Sequence, residues 1–211
     1  MKLRLLEILP YKPDEQKNRK LMFESAFITY RALKKINSEN FFDVWRINIM
    51  CDEVDCDNNI IEQEGILNVH VEFDTRYFSM TYNEKVRYLI NLLKAGLTRV
   101  FEFKGWDMEI VQNVISDIPA DIRENIWYPK LRCSANGYRA KVKCIHSMYD
   151  AKIIIEVFQG RKLIKESLPY ITYPEIYHLT YTMGRLAYNE DDKTFALYSS
   201  INDSPITSVK V

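Results

Sequence analysis

The chain has 211 residues, 47% hydrophobic and 27% charged, the composition of an ordinary folded globular protein and not of a disordered segment. Its 29 basic and 29 acidic side chains cancel only on average, because residues 1–50 carry a net +4, 51–126 a net −8, 127–168 a net +6 and 169–211 a net −2. The six glycines are dispersed singly, so neither G-x-G-x-x-G nor a P-loop can be drawn, and nucleotide chemistry of those two kinds is excluded.

Taken in chain order, residues 2–9 read as a short strand. Beyond the Pro10/Pro13 turn, Met22, Phe23, Ala26, Phe27, Tyr30, Leu33 and Ile36 recur at steps of three and four, which predicts a helix over 18–36. Residues 42–51 then alternate, with Trp45, Ile47 and Ile49 on one face. Residues 66–74 alternate more cleanly, turning Leu67, Val69, Val71 and Phe73 inward. These two runs are expected to pair. Thr81 and Glu84 form a capping-box pattern before the stripe Val86, Leu89, Ile90, Leu93 and Leu97, with Gly96 as the expected left-handed end. Asp107 is the expected N-cap of a further helix that stops before Pro119.

From Trp127 the pattern becomes a meander. Asn136-Gly137 predicts a tight hairpin between two alternating runs. Residues 151–158 and 161–168 follow as strands, Pro174 and Glu175 open a helix with the stripe Ile176, Leu179, Met183 and Leu186, and a last strand falls near 194–199. The expected fold is therefore α+β, with antiparallel sheets and a C-terminal meander packed on three to four helices. One domain over 1–211 is the simplest reading, with 119–129 as the candidate lobe boundary.

The N-terminal MKLRLLEILPYK does not read as a signal peptide, since Glu7 interrupts a short apolar run. No stretch of eighteen apolar residues predicts a membrane span. Cys51, Cys56, Cys133 and Cys144 lack zinc-set spacing, and free thiols in a cytoplasmic protein are the expectation.

Four constellations bear on chemistry. Asp52, Glu53, Asp55, Asp57, Glu62 and Glu64 cluster within 52–64 with no basic residue in that segment. The cluster copies three early positions of an EF-hand loop, but Ile60 and Ile66 occupy the positions that need Gly and Glu, so no metal is expected there. It is a solvated loop or a negative field for a basic partner. Asn68, His70, Glu72 and Asp74 share the polar face of the 66–74 strand, where a His beside carboxylates suits a general base or a metal site. Lys130, Arg132, Arg139, Lys141 and Lys143 share one face of the hairpin. Tyr138 is the one aromatic close to them in sequence, so phosphate gripping is possible but nucleic acid is not the expected partner. Finally, Tyr170, Tyr173, Tyr177, Tyr181 and Tyr188 crowd into nineteen residues, a pattern of half-exposed interface anchors or of rim packing.

The helix YNEKVRYLINLLKAGL (82–97), then Gly105-Trp106-Asp107 opening a second helix, then an antiparallel meander, resembles bacterial toxin-immunity proteins in layout. The resemblance implies a small cytoplasmic α+β protein with a protein partner, no catalysis and no cofactor. The expected function is thus a non-catalytic protein-binding module that meets a basic toxin domain with Asp52–Glu64 and the adjoining His70, Glu72 and Asp74. The alternatives are a metal-dependent or acid–base hydrolase built on His70, Glu72 and Asp74, and an RNA-binding protein using 130–143.

Overall fold

The computed structural model describes residues 2–10, 15–37, 42–52, 60–118, 124–174, 179 and 181–211. Among these, three α-helices and twelve strands give an α+β fold. The chain divides into two compact units, Met1–Ile122 and Arg123–Val211, and the division falls inside the 119–129 segment.

The first unit holds β1 (Leu5–Pro10), α1 (Glu15–Ile36), β2 (Arg46–Asp52), β3 (Ile60–Gln63), β4 (Ile66–Glu72), α2 (Tyr82–Lys104) and α3 (Met108–Ser116). Its sheet runs β1-β2-β4-β3, with β1–β2 and β2–β4 parallel and only β3–β4 antiparallel. The runs at 42–51 and 66–74 do pair, but this sheet is mixed rather than antiparallel. The reason is β3. It reverses through Glu64 and Gly65, at φ 52° and 77°, and uses up the change of direction, so that β4 returns alongside β2 with the same sense. Ile47, Ile49, Leu67, Val69 and Val71 are buried on one side of the sheet.

The helices form one layer, since each touches the other two. Their seat on the sheet is marked by Gly96, where a Cβ would meet Ile49 Cγ1 at 2.6 Å and Cδ1 at 2.7 Å. Gly96 is therefore not the helix end expected from sequence. It lies mid-helix as a close-approach residue, and the left-handed cap is Gly105 at φ 64°. At the N-terminus the Glu84 carboxylate accepts from the Thr81 backbone N–H at 2.8 Å and from its hydroxyl at 2.6 Å. Asp107 Oδ1 accepts from the Glu109 N–H at 2.9 Å and caps α3 as expected.

On α1 the buried residues are Leu21, Glu24, Ser25, Phe27, Ile28, Thr29, Ala32 and Ile36, a face that shares Phe27 and Ile36 with the apolar stripe read in the sequence and leaves Met22, Phe23, Ala26, Tyr30 and Leu33 half-buried. A carboxylate can lie on that buried side because it is fully paired. Lys85 Nζ donates to both Glu24 oxygens at 2.9 Å and the Tyr77 hydroxyl donates to Oε2 at 2.7 Å. Breaking such a buried pair costs about 3–5 kcal/mol, although its net contribution is small after desolvation.

The second unit holds β5 (Glu124–Ala135), β6 (Tyr138–His146), β7 (Ala151–Gln159), β8 (Lys162–Glu166), β9 (Tyr170–Thr172), β10 (Met183–Asn189), β11 (Thr194–Ser199) and β12 (Pro205–Lys210). The first five make an antiparallel sheet in which both β8 and β9 pair with β7. The last three make a second sheet, β10-β11-β12. Asn136 and Gly137, at φ 51° and 80°, supply the two left-handed positions of the tight turn that matches strand twist. Leu131, Ala140, Val142, Cys144, Ile153, Ile155 and Val157 form the buried face, and within this unit β10, β11 and β12 pack on β5 and β7.

The helix expected from Pro174 is overturned at its C-terminal half. Met183 and Leu186 belong to β10, where Leu186 pairs with Leu197 across to β11. Gly184 suits this packing, because a Cβ there would stand 2.9 Å from the backbone N of Ser200, just beyond β11, an approach that larger residues do not permit. Ile176, Tyr177 and His178 lie outside the described residues.

Candidate functional site

Four registered rows define the face of the first sheet opposite Ile47 and Ile49. Leu5, Arg46, Ile66 and Gln63 form the first, and Glu7, Asn48, Asn68 and Ile61 the second. Leu9, Met50 and His70 form the third, and Asp52 and Glu72 close the carboxyl ends of β2 and β4. The face is chemically mixed, since half-buried aliphatic side chains surround a polar centre and Ile61 is 52% exposed.

The polar centre is ordered by hydrogen bonds that cross the strands. Arg46 Nη2 donates to Glu7 Oε2 at 2.6 Å while its Nε donates to Asn48 Oδ1 at 2.7 Å. Asn48 Nδ2 then donates to Asn68 Oδ1 at 2.8 Å, so one chain of bonds ties β1, β2 and β4 together. Asn48 retains only 7% exposure, which a polar side chain on a central strand tolerates because its amide is satisfied on both sides. One row on, His70 Nδ1–H donates to Asp52 Oδ2 at 2.5 Å, and Arg99 of α2 donates to the His70 carbonyl. A carboxylate that holds one ring nitrogen fixes the tautomer and the ring orientation.

The structure distributes the sequence-predicted residues among several roles. Asp52, His70 and Glu72 come together at the carboxyl end of the sheet face. Asp74 is turned to a different task. Its Oδ1 caps the short 3-10 turn at 75–79 by accepting from the Arg76 N–H at 2.9 Å, and its Oδ2 takes Arg76 Nε at 2.7 Å. Arg76 holds that carboxyl below the ordinary carboxylate range. The partner of His70 is therefore Asp52, a strand away, and not Asp74. Glu62 lies on the helix side of the sheet, where Lys104 Nζ bridges Asp43 and Glu62, at 3.1 Å from the latter. These two carboxylates, Asp43 first, push the ammonium above its ordinary value. Asp52 and Glu62 are thus paired with partners remote in sequence, contrary to the expectation of a uniformly unpaired cluster. Glu64 shapes the β3–β4 turn with a positive φ, and its carbonyl accepts from Trp45 Nε1 at 3.0 Å. Glu53, Asp55 and Asp57 lie outside the described residues, and among the described residues no three or more His, Cys, Asp or Glu side chains, Asp52, His70 and Glu72 included, are placed to hold one metal ion.

Arg46, Asn48 and Glu7 are site residues that the sequence reading passed over. Their signal was present as the polar half of the 46–52 alternation, but it becomes a constellation only when the parallel register sets Asn48 beside both Glu7 and Asn68.

In the second unit the basic hairpin presents Arg132, Arg139, Lys141 and Lys143 on the face opposite the buried one, as expected, while Lys130 is exposed in the irregular stretch of β5 that precedes Arg132. The third strand adds two groups. Glu156 of β7 pairs with Lys141 at 3.1 Å and with Lys143 at 3.3 Å. Burial acts to raise its carboxyl, but the two ammonium groups outweigh burial and hold it below the ordinary value. Phe158, the register partner of Arg139, lies 4.7 Å from Lys141 Nζ and 5.5 Å from the Arg139 guanidinium. On the opposite face burial pushes the Cys144 thiol up to about 12, so it stays protonated and unreactive.

Comparison with protein-family models, with curated proteins and with solved structures finds no match. No helix among the described residues is long and apolar enough to cross a membrane.

Proposed function

We propose that the chain is a non-catalytic protein-binding module, of the immunity-protein kind that its layout resembles, and that it meets its partner with the mixed face of the β1-β2-β4-β3 sheet. The observation that carries this reading is the bonded polar row Glu7–Arg46–Asn48–Asn68 set among Leu5, Leu9, Met50, Ile61 and Ile66. Long polar side chains on a merely wet face lose rotamer freedom when a partner binds. Here that ordering is already complete, which lowers the cost of association and fixes a hydrogen-bond pattern to be read. Three strands of six to seven residues and a fourth of four span roughly 20 Å by 20 Å, and with its rim this face approaches the roughly 800 Å² per side of a standard interface. Asp52 and Glu72 place negative charge at one end, which favours a basic partner.

The test is affinity capture from native lysate by the wild-type chain and by an Ile61→Lys/Glu72→Lys variant, followed by titration of the captured protein. A partner whose affinity falls at least tenfold in the variant supports the reading. A partner that binds both chains equally overturns it.

A second reading rests on the Asp52–His70 pair, since a carboxylate-oriented imidazole at the carboxyl ends of parallel strands suits general base chemistry. Hydrolysis of small ester substrates that is abolished in His70→Ala and reduced in Asp52→Asn would favour it over the binding reading.

A further inference from the structure

The second unit carries a surface of different chemistry, and we propose that the outer face of β5, β6 and β7 binds single-stranded nucleic acid. Register places Arg132 of β5, Arg139, Lys141 and Lys143 of β6 and Lys152 of β7 on this one face, and Lys130 is exposed in the irregular stretch of β5 just before Arg132. Neighbouring cations stand about 6.5–7 Å apart along a strand and about 4.8 Å across strands. Glu156 offsets part of the charge of Lys141 and Lys143, and Asp150 stands 3.7 Å from Lys152. Arg132 and Arg139 are exposed. A surface of this sign and density grips phosphates.

Charge alone would suit an acidic polypeptide equally well. The choice of nucleic acid rests on Phe158. Sequence proximity offered no aromatic besides the turn residue Tyr138, but the antiparallel register brings Phe158 from the third strand to the side of Arg139. The Arg139 guanidinium, 5.5 Å from the ring centroid, and Lys141 Nζ, 4.7 Å from it, set planar and cationic groups beside an aromatic ring, the combination on which bases stack without sequence preference. Beside it lies an open depression of about 440 Å³ lined by Ser134, Asn136, Tyr138, Arg139 and Gly160. Cations that follow a strand, next to a stacking plane and a concave seat, make a phosphate–base pattern rather than a carboxylate one.

Fluorescence anisotropy of a short labelled oligouridylate at low salt tests the proposal. The expected result is saturable binding whose log K falls linearly with log salt, with a slope of about −2 to −3 for three to four phosphates contacted. The double variant Arg132→Glu/Arg139→Glu should weaken binding by about tenfold or more, because it reverses two exposed phosphate contacts. Arg139→Lys keeps the charge but not the plane, so it should retain the slope while losing affinity. Circular dichroism of each variant checks that the fold is kept. Absence of binding at low salt, an unchanged affinity in the double variant, or displacement of the oligonucleotide by polyglutamate at equal charge would each overturn the proposal, the last assigning the face to an acidic polypeptide. All of these substitutions lie within the second unit.

Discussion

In the first unit Glu24 and Lys85 are both about 4% exposed and satisfy one another inside the helix layer, whereas in the second unit Lys141 and Lys143 share one carboxylate on an outward sheet face. The two arrangements have the same chemistry and opposite consequences. Away from water, losing one member of the pair leaves a buried charge that solvent cannot compensate, and the pair helps fix how α1 sits against α2. Ammonium groups at the surface are screened, contribute less, and can trade Glu156 for another anion. Formal neutrality of the whole chain therefore conceals one region where charge specifies structure and another where it remains exchangeable.

Lys85→Met should have the largest effect, a loss of about 3–5 kcal/mol in chemical denaturation, while Glu24→Leu/Lys85→Met should recover most of it. A single variant as stable as the wild type would end the contrast between the two regions. Gly96→Ala comes next. Alanine gains about 1 kcal/mol of helix propensity, but its methyl group must displace the fully buried Ile49, and overpacking of that kind costs about 1–3 kcal/mol. A net loss is expected from urea midpoints.

Glu156→Gln should cost on the order of 1 kcal/mol at neutral pH, because the carboxylate accepts charge-assisted bonds from two lysines that are themselves partly exposed. The sign of its pH dependence follows from its lowered value. Its contribution is complete above the unfolded glutamate range and is lost as pH falls through the folded value, so the variant should flatten the acid limb below about pH 4.5. The smallest effect is expected at Cys144. Iodoacetamide at mildly alkaline pH should leave it unmodified until denaturant is added, as read by peptide mass spectrometry.

What was legible in the sequence follows what is local. Capping by Asp107, the role of Glu84, the Asn136-Gly137 turn and the inward face of 66–74 all depend on contacts within a few residues, and all appear as read. The misread features depend on distant partners. Gly96 looks like a helix end until Ile49 is known to press against it. Met183 and Leu186 have helical spacing, yet β11 supplies ladder bonds that spacing cannot anticipate. At the candidate site Asp52, His70 and Glu72 were named from their types, but the pairing of His70 with Asp52 across eighteen residues required the parallel register, as did the row through Arg46 and Asn48.

The sense in which the strands run also bears on how each unit is assembled. Joining β1 to β2 and β2 to β4 closes long loops before any ladder bond forms, and that entropy is spent early. The successive hairpins β5–β6, β6–β7 and β10–β11 instead zip from short turns. Low contact order speeds folding, so these hairpins are expected to form ahead of the parallel ladder of the first unit. That ladder waits on non-local closure, as does the contact between Glu24 and Lys85, 61 residues apart in the chain.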